Sequence, residues 1–77
     1  MKKLPLISSD AIIRKLKKAG FVNAPRQGKG SHTALYKMDD SGKKLLVIIP
    51  LRDPVPKGTL ISILKQANLT REEFYDL

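Results

Sequence analysis

The sequence predicts an α+β domain in which two helices cover one face of a three-stranded antiparallel sheet, followed by a short C-terminal helix. Two segments have apolar residues at helical spacing. Between them lies a central stretch whose successive side chains fall alternately on the two faces of a strand. A turn rich in Asp and Gly divides that stretch in two. The chain of 77 residues has room for one domain, residues 1–77, with a small core and no enclosed cofactor cavity.

The first helix is predicted to begin at residues 8–10, whose side chains can cap it, and Gly20 is predicted to follow its last turn. The Ser-Ser-Asp oxygens at 8–10 can accept hydrogen bonds from the first helical amides, and glycine readily adopts the left-handed conformation that ends many helices. The apolar residues at helical spacing are Ile12, Ile13, Leu16 and Ala19. The opposite face, which either contacts phosphate or is simply solvated, carries Arg14, Lys15, Lys17 and Lys18.

Three strands are predicted next. A short strand begins at Phe21, and a second runs from His32 to Met38. The faces of the second strand carry His32, Ala34, Tyr36 and Met38 on one side and Thr33, Leu35 and Lys37 on the other. Residues 39–42, Asp-Asp-Ser-Gly, are typical of a hairpin turn, so the return strand is predicted over residues 43–49.

The return strand is predicted to be apolar also on the face that the helices do not cover. Its residues 45–49, Leu-Leu-Val-Ile-Ile, are apolar on both faces, which is unusual in an antiparallel sheet covered by helices on one side only. Either a partner covers the second face, or the strand is central and a loop or the C-terminal tail covers it. The sequence leaves both alternatives open.

The second helix follows a loop punctuated by prolines, residues 50–56. Its buried stripe is predicted to consist of Leu60, Ile61, Ile63, Leu64 and Ala67. Asn68 is predicted to end the helix, because asparagine tolerates the left-handed conformation. Thr70 and Glu73 have the spacing of a capping box, which predicts a last helical turn that packs Phe74.

Composition and charge narrow the classes of function. The net charge of +8, from 15 Lys and Arg against 7 Asp and Glu, favours a polyanionic partner or else reflects a soluble basic surface. No cysteine and one histidine exclude disulfides, thiolate metal sites and multi-histidine zinc sites, and we expect no metal or cofactor. The N-terminal apolar stretch is too short for a signal peptide or a membrane span, so we expect a cytoplasmic protein without a membrane partner.

The predicted order of elements is also that of the double-stranded-RNA-binding fold, whose members recognise nucleic acid by shape and backbone. Short motifs follow one another along residues 8–77. They are Phe21 after Ala-Gly, Gly30-Ser31-His32 at a strand start, a Val/Ile-rich strand ending in Pro50, Pro56-Lys57-Gly58-Thr59-Leu60, Ile63-Leu64-Lys65-Gln66-Ala67, and Leu69-Thr70-Arg71-Glu72-Glu73-Phe74. With these motifs the chain resembles the HicA toxins of bacterial and archaeal toxin–antitoxin systems.

The resemblance implies an activity and a partner. HicA toxins are small endoribonucleases, described as mRNA interferases, and a cognate HicB antitoxin holds them inactive. The functional histidine of the family falls on His32, and the glycine that precedes it falls on Gly30. The chain departs from the family pattern at residues 51–53, where many members carry another histidine or a glycine, and at residues 67–69, where many have Ala-Gly-Leu. The first departure means that any general acid is not a second histidine.

The residues around His32 suit RNA cleavage without a metal. RNA carries its own nucleophile, the 2′-hydroxyl, and an imidazole, whose ordinary pKa is about 6.5, can remove or donate a proton near neutral pH. Gly28 and Gly30 allow the backbone to approach a phosphate closely. Arg26 and Lys29 are predicted to offset the charge on its non-bridging oxygens. The expected products are a 2′,3′-cyclic phosphate and a 5′-hydroxyl.

Three further residues have candidate roles. Ser31 is predicted to orient the imidazole. Lys57, at the start of the second helix, either binds phosphate or belongs to the ordinary sequence of a helix start. Tyr36 either stacks a base, lends its hydroxyl or fills the core or its rim.

Three interpretations of function remain open. The first is a ribonuclease toxin that cleaves mRNA with His32, with a HicB-type antitoxin as the protein partner that covers part of the His32 surface. The second is a non-catalytic RNA-binding module of the same fold, in which His32 and the basic residues only hold phosphates. The third is an adaptor that binds another protein through the apolar outer face of residues 45–49. Catalysis separates the first two.

Overall fold

The computed structural model describes residues 6–24 and 32–77, and the predicted order of elements is confirmed. The elements are helix α1 (Ser9–Lys18), strands β1 (Val22–Asn23), β2 (His32–Met38) and β3 (Lys44–Pro50), and helices α2 (Lys57–Ala67) and α3 (Arg71–Tyr75). The fold is α+β, with α1 and α2 packed against a three-stranded antiparallel sheet and a short helix after them.

The sheet has the strand order β1-β2-β3, so β2 is its central strand. β2 pairs with β3 along its whole length, from His32 opposite Pro50 to Met38 opposite Lys44. β1 adds two residues on the other side of β2. Within the described residues β3 therefore lies at an edge, which contradicts the alternative in which it is a central strand.

One apolar core lies between the sheet and the helices. Its buried members are Ile12, Leu16, Phe21, Leu35, Val47, Ile49, Val55, Leu60, Ile63, Leu64, Ala67 and Phe74. Full burial of a large aliphatic or aromatic side chain contributes about 1.5–3 kcal/mol relative to its exposure. The inner face of the sheet is therefore the one that carries Leu35, Val47 and Ile49. The residues that alternate with them along β2 and β3 lie on the outer face.

Helix α1 begins and ends as predicted. The Ser8 hydroxyl accepts a hydrogen bond from the Ala11 amide at 3.2 Å and caps the N-terminus. Gly20, with a φ of +101°, turns the chain out of the helix. The Lys37 ammonium of β2 donates to the Ala19 carbonyl at 2.6 Å, so a strand side chain satisfies an oxygen at the helix C-terminus.

The turn between β2 and β3 is built around the Asp39 carboxylate. Its Oδ1 accepts from the Ser41 amide at 2.9 Å, the Ser41 hydroxyl at 2.7 Å and the Lys43 amide at 2.8 Å. Gly42 adopts a φ of +85°. Since the Asp39 amide also donates to the Lys43 carbonyl at 2.8 Å, Lys43 closes the turn, and β3 begins at Lys44 rather than at the predicted Lys43.

The end of β3 also differs from the prediction, at Pro50 rather than Ile49. The Ile48 amide points to the open edge of the sheet, where it donates to Gln66 Oε1 of α2 at 2.9 Å. Alternate residues of a strand direct their amides to the same side, so the N–H that Pro50 lacks falls on this edge. Pro50 therefore ends β3 opposite His32 without removing a hydrogen bond to β2.

The C-terminal elements follow the predicted pattern. Asn68 has a φ of 57° and ends α2 in the left-handed conformation. The capping box of α3 is confirmed, because the Thr70 amide donates to Glu73 Oε1 at 2.8 Å and the Glu73 amide donates to Thr70 Oγ1 at 3.1 Å. The helix buries Phe74 completely.

Candidate functional site

His32 is the first residue of β2, and its side chain is exposed. It pairs with Pro50, the last residue of β3. Since Leu35 faces the core, the alternation along β2 places His32 on the outer face of the sheet, away from α1 and α2. The one histidine of the chain is thus presented to solvent at one end of the sheet.

An apolar surface shares this outer face with His32. Its exposed members are Val22, Met38, Leu46 and Ile48, which retain 50%, 53%, 36% and 38% of their accessible surface. Leu46 lies opposite Tyr36, and Ile48 lies opposite Ala34. We call these four side chains the outer apolar surface. Its exposure contradicts the alternative in which the C-terminal tail covers the second face of β3.

Tyr36 is half-buried in the middle of this face, which keeps it out of the core cluster. The Lys44 ammonium lies 5.1 Å from the centroid of its ring. A cation at this distance is attracted to the face of an aromatic ring. The Tyr36 ring therefore has a cationic neighbour on the outer face of the sheet.

The predicted phosphate contacts divide between described and undescribed residues. Arg26, Lys29, Gly30 and Ser31 lie outside the described residues, as does Gly28. Lys57 is described: it is exposed and is the first residue of α2. Pro56 precedes it at the N-cap position and gives no side-chain hydrogen bond to the helix. The loop 51–56 connects Lys57 to Pro50, the residue opposite His32.

This loop is attached to the segment that opens α1. The Ser9 amide donates to the Arg52 carbonyl at 2.9 Å, and the Arg52 amide donates to the Ser9 hydroxyl at 3.1 Å. A further bond joins the Val55 amide to the Ile7 carbonyl at 2.8 Å. The Ser9 hydroxyl was predicted as a helix cap, but it holds the loop instead, and Ser8 alone caps α1. No feature of the sequence distinguishes this contact of Ser9 from a second helix cap.

An open cleft lies beside this junction. It is lined by Ser8, Ser9, Asp10, Leu51, Arg52 and Asp53. In the sequence, residues 51–53 depart from the HicA pattern, and nothing there indicates Arg52 as a site residue. The fold brings this exposed arginine to the end of β3 that faces His32 across the strand pair.

The basic face predicted for α1 is not uniform. Arg14, Lys17 and Lys18 are exposed, as a phosphate-binding or solvated face requires. Lys15 is partly buried: its ammonium donates to the main-chain oxygen of Leu77 at 3.1 Å and lies 5.3 Å from the centroid of the Phe74 ring. The hydrogen bonds of Lys15 thus join α1 to the main chain of the C-terminal segment.

Two carboxylates in the described residues have lowered pKa values, and both are structural. Hydrogen bonds from the Ser41 side chain and then the Lys43 amide lower the pKa of Asp39. Hydrogen bonds from the amide and then the side chain of Thr70 lower the pKa of Glu73. Asp39 follows the end of β2 that is opposite to His32, so its shift belongs to the turn and not to the site.

The described part of the chain holds no cluster of three or more metal-ligating side chains of the His, Cys, Asp or Glu type. Across residues 6–24 and 32–77, every helix is too short to cross a membrane. The structure places exposed His32 opposite Pro50, and the anchored loop that carries Arg52 follows Pro50.

Comparison with known proteins identifies the family. The sequence pattern of the family described as "HicA toxin of bacterial toxin-antitoxin" matches residues 9–69, which is more than half of the chain. The matched range begins with α1 and includes the three strands and α2. A search of curated proteins found no matching relative. The chain therefore belongs to the HicA toxin family of bacterial toxin–antitoxin systems.

Proposed function

We propose that this protein is an mRNA interferase, a small endoribonuclease that cleaves RNA without a metal ion and uses His32 as its general base or acid. The observation that carries the proposal is the exposed position of His32 at the first residue of β2, within the residues matched by the HicA family. An exposed imidazole at a strand end is accessible to a polymer that no small cavity can enclose.

The proposed reaction is an internal transesterification. The imidazole of His32 accepts the proton of the ribose 2′-hydroxyl, the 2′-oxygen attacks the adjacent phosphorus, and the bond from phosphorus to the 5′-oxygen of the next nucleotide breaks. The leaving oxygen takes up a proton and becomes a 5′-hydroxyl, while the phosphate remains as a 2′,3′-cyclic diester. If His32 acts instead as the general acid, it supplies the proton to the leaving oxygen.

Cationic groups are proposed to stabilise the phosphate during the reaction. Negative charge accumulates on the non-bridging phosphate oxygens as the 2′-oxygen attacks, and positive side chains and backbone amides stabilise it. Arg26, Lys29 and Lys57 are the proposed cations. Gly30 allows close approach of the backbone, and Ser31 orients the imidazole. The net charge of +8 supports a polyanionic substrate.

Cleavage of a labelled single-stranded RNA in excess chelator tests the proposal. We expect His32→Ala to lower the rate by about 10²–10⁴-fold, the contribution of a general acid or base. Met38→Ala is the matched control, because Met38 lies on the same face at the other end of β2. Circular dichroism checks that both variants fold. Cleavage that occurs only with magnesium and leaves 5′-phosphates would contradict the mechanism.

A non-catalytic RNA-binding module is the second candidate function. The basic charge and the α-β-β-β-α layout, which also belongs to the double-stranded-RNA-binding fold, favour it. Fold alone does not establish a reaction. If the wild-type protein and His32→Ala both bind RNA with the same salt dependence and neither cleaves it, this second function replaces the first.

We propose further that a HicB-type antitoxin inhibits the protein by covering His32 and the outer apolar surface together. The two lie on one face of the sheet, so a single partner can bury both. Covering exposed apolar side chains stabilises such a complex, and covering His32 blocks the substrate. An inhibited complex in which His32 remains open to solvent would contradict this proposal.

A further inference from the structure

We infer that Arg52 is a substrate-binding residue of the same site, whose guanidinium binds the RNA phosphate beside His32. The inference rests on the proposed RNA cleavage, and it adds a cation from the β3–α2 loop to those proposed above.

The strand register places the two residues at one end of the sheet. His32 and Pro50 form a cross-strand pair, whose Cα atoms lie about 4.5–5.5 Å apart in an antiparallel sheet. Arg52 follows two positions later, and two residues span at most about 7 Å. The Cα atoms of His32 and Arg52 are therefore separated by less than about 13 Å. We place the phosphate between these two positions, where the imidazole from one side and the longer arginine side chain from the other can extend to it.

The backbone of Arg52 is fixed although its side chain is exposed. Its carbonyl accepts from the Ser9 amide at 2.9 Å, and its amide donates to the Ser9 hydroxyl at 3.1 Å. Ser9 is 5% exposed and belongs to α1, so the loop is attached to a rigid element. Holding the backbone in place reduces the entropy that is lost when the side chain binds an anion.

Arginine suits this position chemically. Its planar guanidinium can donate two parallel hydrogen bonds to one phosphate, and it keeps its charge at any physiological pH. Charge that develops on the non-bridging oxygens in the transition state strengthens these bonds. Arg52 thus contributes both to RNA affinity and to the rate of cleavage.

The neighbouring carboxylates limit where the phosphate can lie. Asp10 and Asp53 line the same cleft as Arg52. A phosphate deep in that cleft meets two negative charges, so it must bind on the outward side of the guanidinium. Removal of the Asp53 charge is then expected to raise RNA affinity, whereas removal of the Arg52 charge lowers it.

The experiment compares Arg52→Ala, Arg52→Lys, Asp53→Asn and the control Arg71→Ala, which removes the same charge from an exposed position at the start of α3. Binding is measured with a fully 2′-O-methylated RNA, which lacks the nucleophile, and cleavage with the unmodified RNA. We expect Arg52→Ala to weaken binding and kcat/KM by about 10- to 100-fold, the effect of losing charge-assisted hydrogen bonds. Arg52→Lys should restore part of this loss, and Asp53→Asn should tighten binding. Arg71→Ala should change either quantity by less than about threefold.

Equal effects of Arg52→Ala and Arg71→Ala in both assays would overturn the inference. If the wild-type protein binds RNA without cleaving it, the proposed reaction fails, and the binding assay alone then decides on Arg52. A loss larger than that of Arg71→Ala supports the phosphate site, and an equal loss overturns it. Should Arg52→Ala not fold, Arg52→Gln takes its place, because it retains the length of the side chain while removing the charge.

Discussion

Ser8 and Ser9 are neighbours of the same chemistry with different roles in the fold. Ser8 caps α1 through a 3.2 Å bond from Ala11, whereas the buried Ser9 hydroxyl accepts from the Arg52 amide. The preference of serine for helix N-termini accounts for the first role. The second depends on the loop 51–53 folding back onto α1, which no local propensity encodes.

We predict that Ser8→Ala and Ser9→Ala destabilise the protein similarly but affect RNA binding differently. Loss of the cap or of the Ser9 acceptor is expected to lower the free energy of unfolding by about 1 kcal/mol in each case. Only Ser9→Ala loosens the backbone of Arg52, so only it should weaken RNA binding. Urea unfolding and RNA titration measure the two effects, and equal RNA affinity of the two variants would argue against a positioning role for Ser9.

The Asp39 carboxylate makes the stability of the β2–β3 turn depend on pH. Its hydrogen bonds lower its pKa in the folded protein, so its stabilisation is fully present above the ordinary carboxyl pKa and is lost as the pH falls through the folded value. We predict that Asp39→Asn removes this part of the acid destabilisation. Thermal unfolding of both proteins from neutral to strongly acidic pH tests it: the difference between them should shrink as the pH falls, and a constant difference would contradict the prediction.

Helix α3 is too short to be stable alone and is held in place by its contacts with α1. α3 has five residues, and isolated helices of that length are not stable in water. Its capping box and the burial of Phe74 support it locally. Lys15 adds bonds from α1 to the main-chain oxygens of Phe74 and Leu77, at 3.5 and 3.1 Å.

We predict that Lys15→Met lowers the free energy of unfolding by about 1 kcal/mol, because methionine retains the apolar stem but loses these hydrogen bonds. Amide hydrogen exchange should accelerate in α3 more than in α2. The control is Lys18→Met, at an exposed position of the same helix, which should change stability by less than about 0.5 kcal/mol. Equal exchange rates in α3 for both variants would show that Lys15 does not hold it.

The two faces of β3 have different surroundings in the folded protein. Val47 and Ile49 are fully buried against the helices, whereas Leu46 and Ile48 belong to the outer apolar surface with His32. A single strand thus contributes to the core through one set of side chains and presents the other set to solvent.

We predict opposite profiles for substitutions at two adjacent positions of β3. Ile49→Ala should lower the free energy of unfolding by about 2–5 kcal/mol, as expected for an aliphatic core residue. Ile48→Lys should lower it by about 1 kcal/mol or less but weaken binding of the antitoxin proposed to cover this face by at least about tenfold. Denaturant titration and calorimetric binding measure the two. A complex as tight with Ile48→Lys as with wild type would exclude this face from the interface.

Most of the architecture could be predicted from residue patterns, because its signals are local. The N-cap at Ser8, the left-handed Gly20 and Asn68, the turn at Asp39 and the capping box at Thr70 each depend on a few consecutive residues. The predicted boundaries of β3 are wrong by one residue at each end. The hydrogen bond from the Lys43 amide to Asp39 sets the start of the strand, and the edge position of Pro50 allows the strand to include it.

The candidate site could be predicted only in part. His32 is the chain's single histidine and falls on a family motif, so its sequence context indicates it directly. The roles of Lys15 and Arg52 could not be predicted, since both were indistinguishable from other surface cations. Their contacts join residues far apart in the chain, such as Lys15 with Leu77 and Arg52 with Ser9.

Residue patterns alone account for the α+β class, the order of elements, the basic charge and the candidate histidine, because periodicity, capping and turn chemistry act over a few neighbouring positions. The folded chain was needed to show that β3 is an edge strand, that its outer face is exposed beside His32, and that Ser9 holds the loop of Arg52. These features depend on burial and on hydrogen bonds between distant segments, which form only when the helices pack on the sheet.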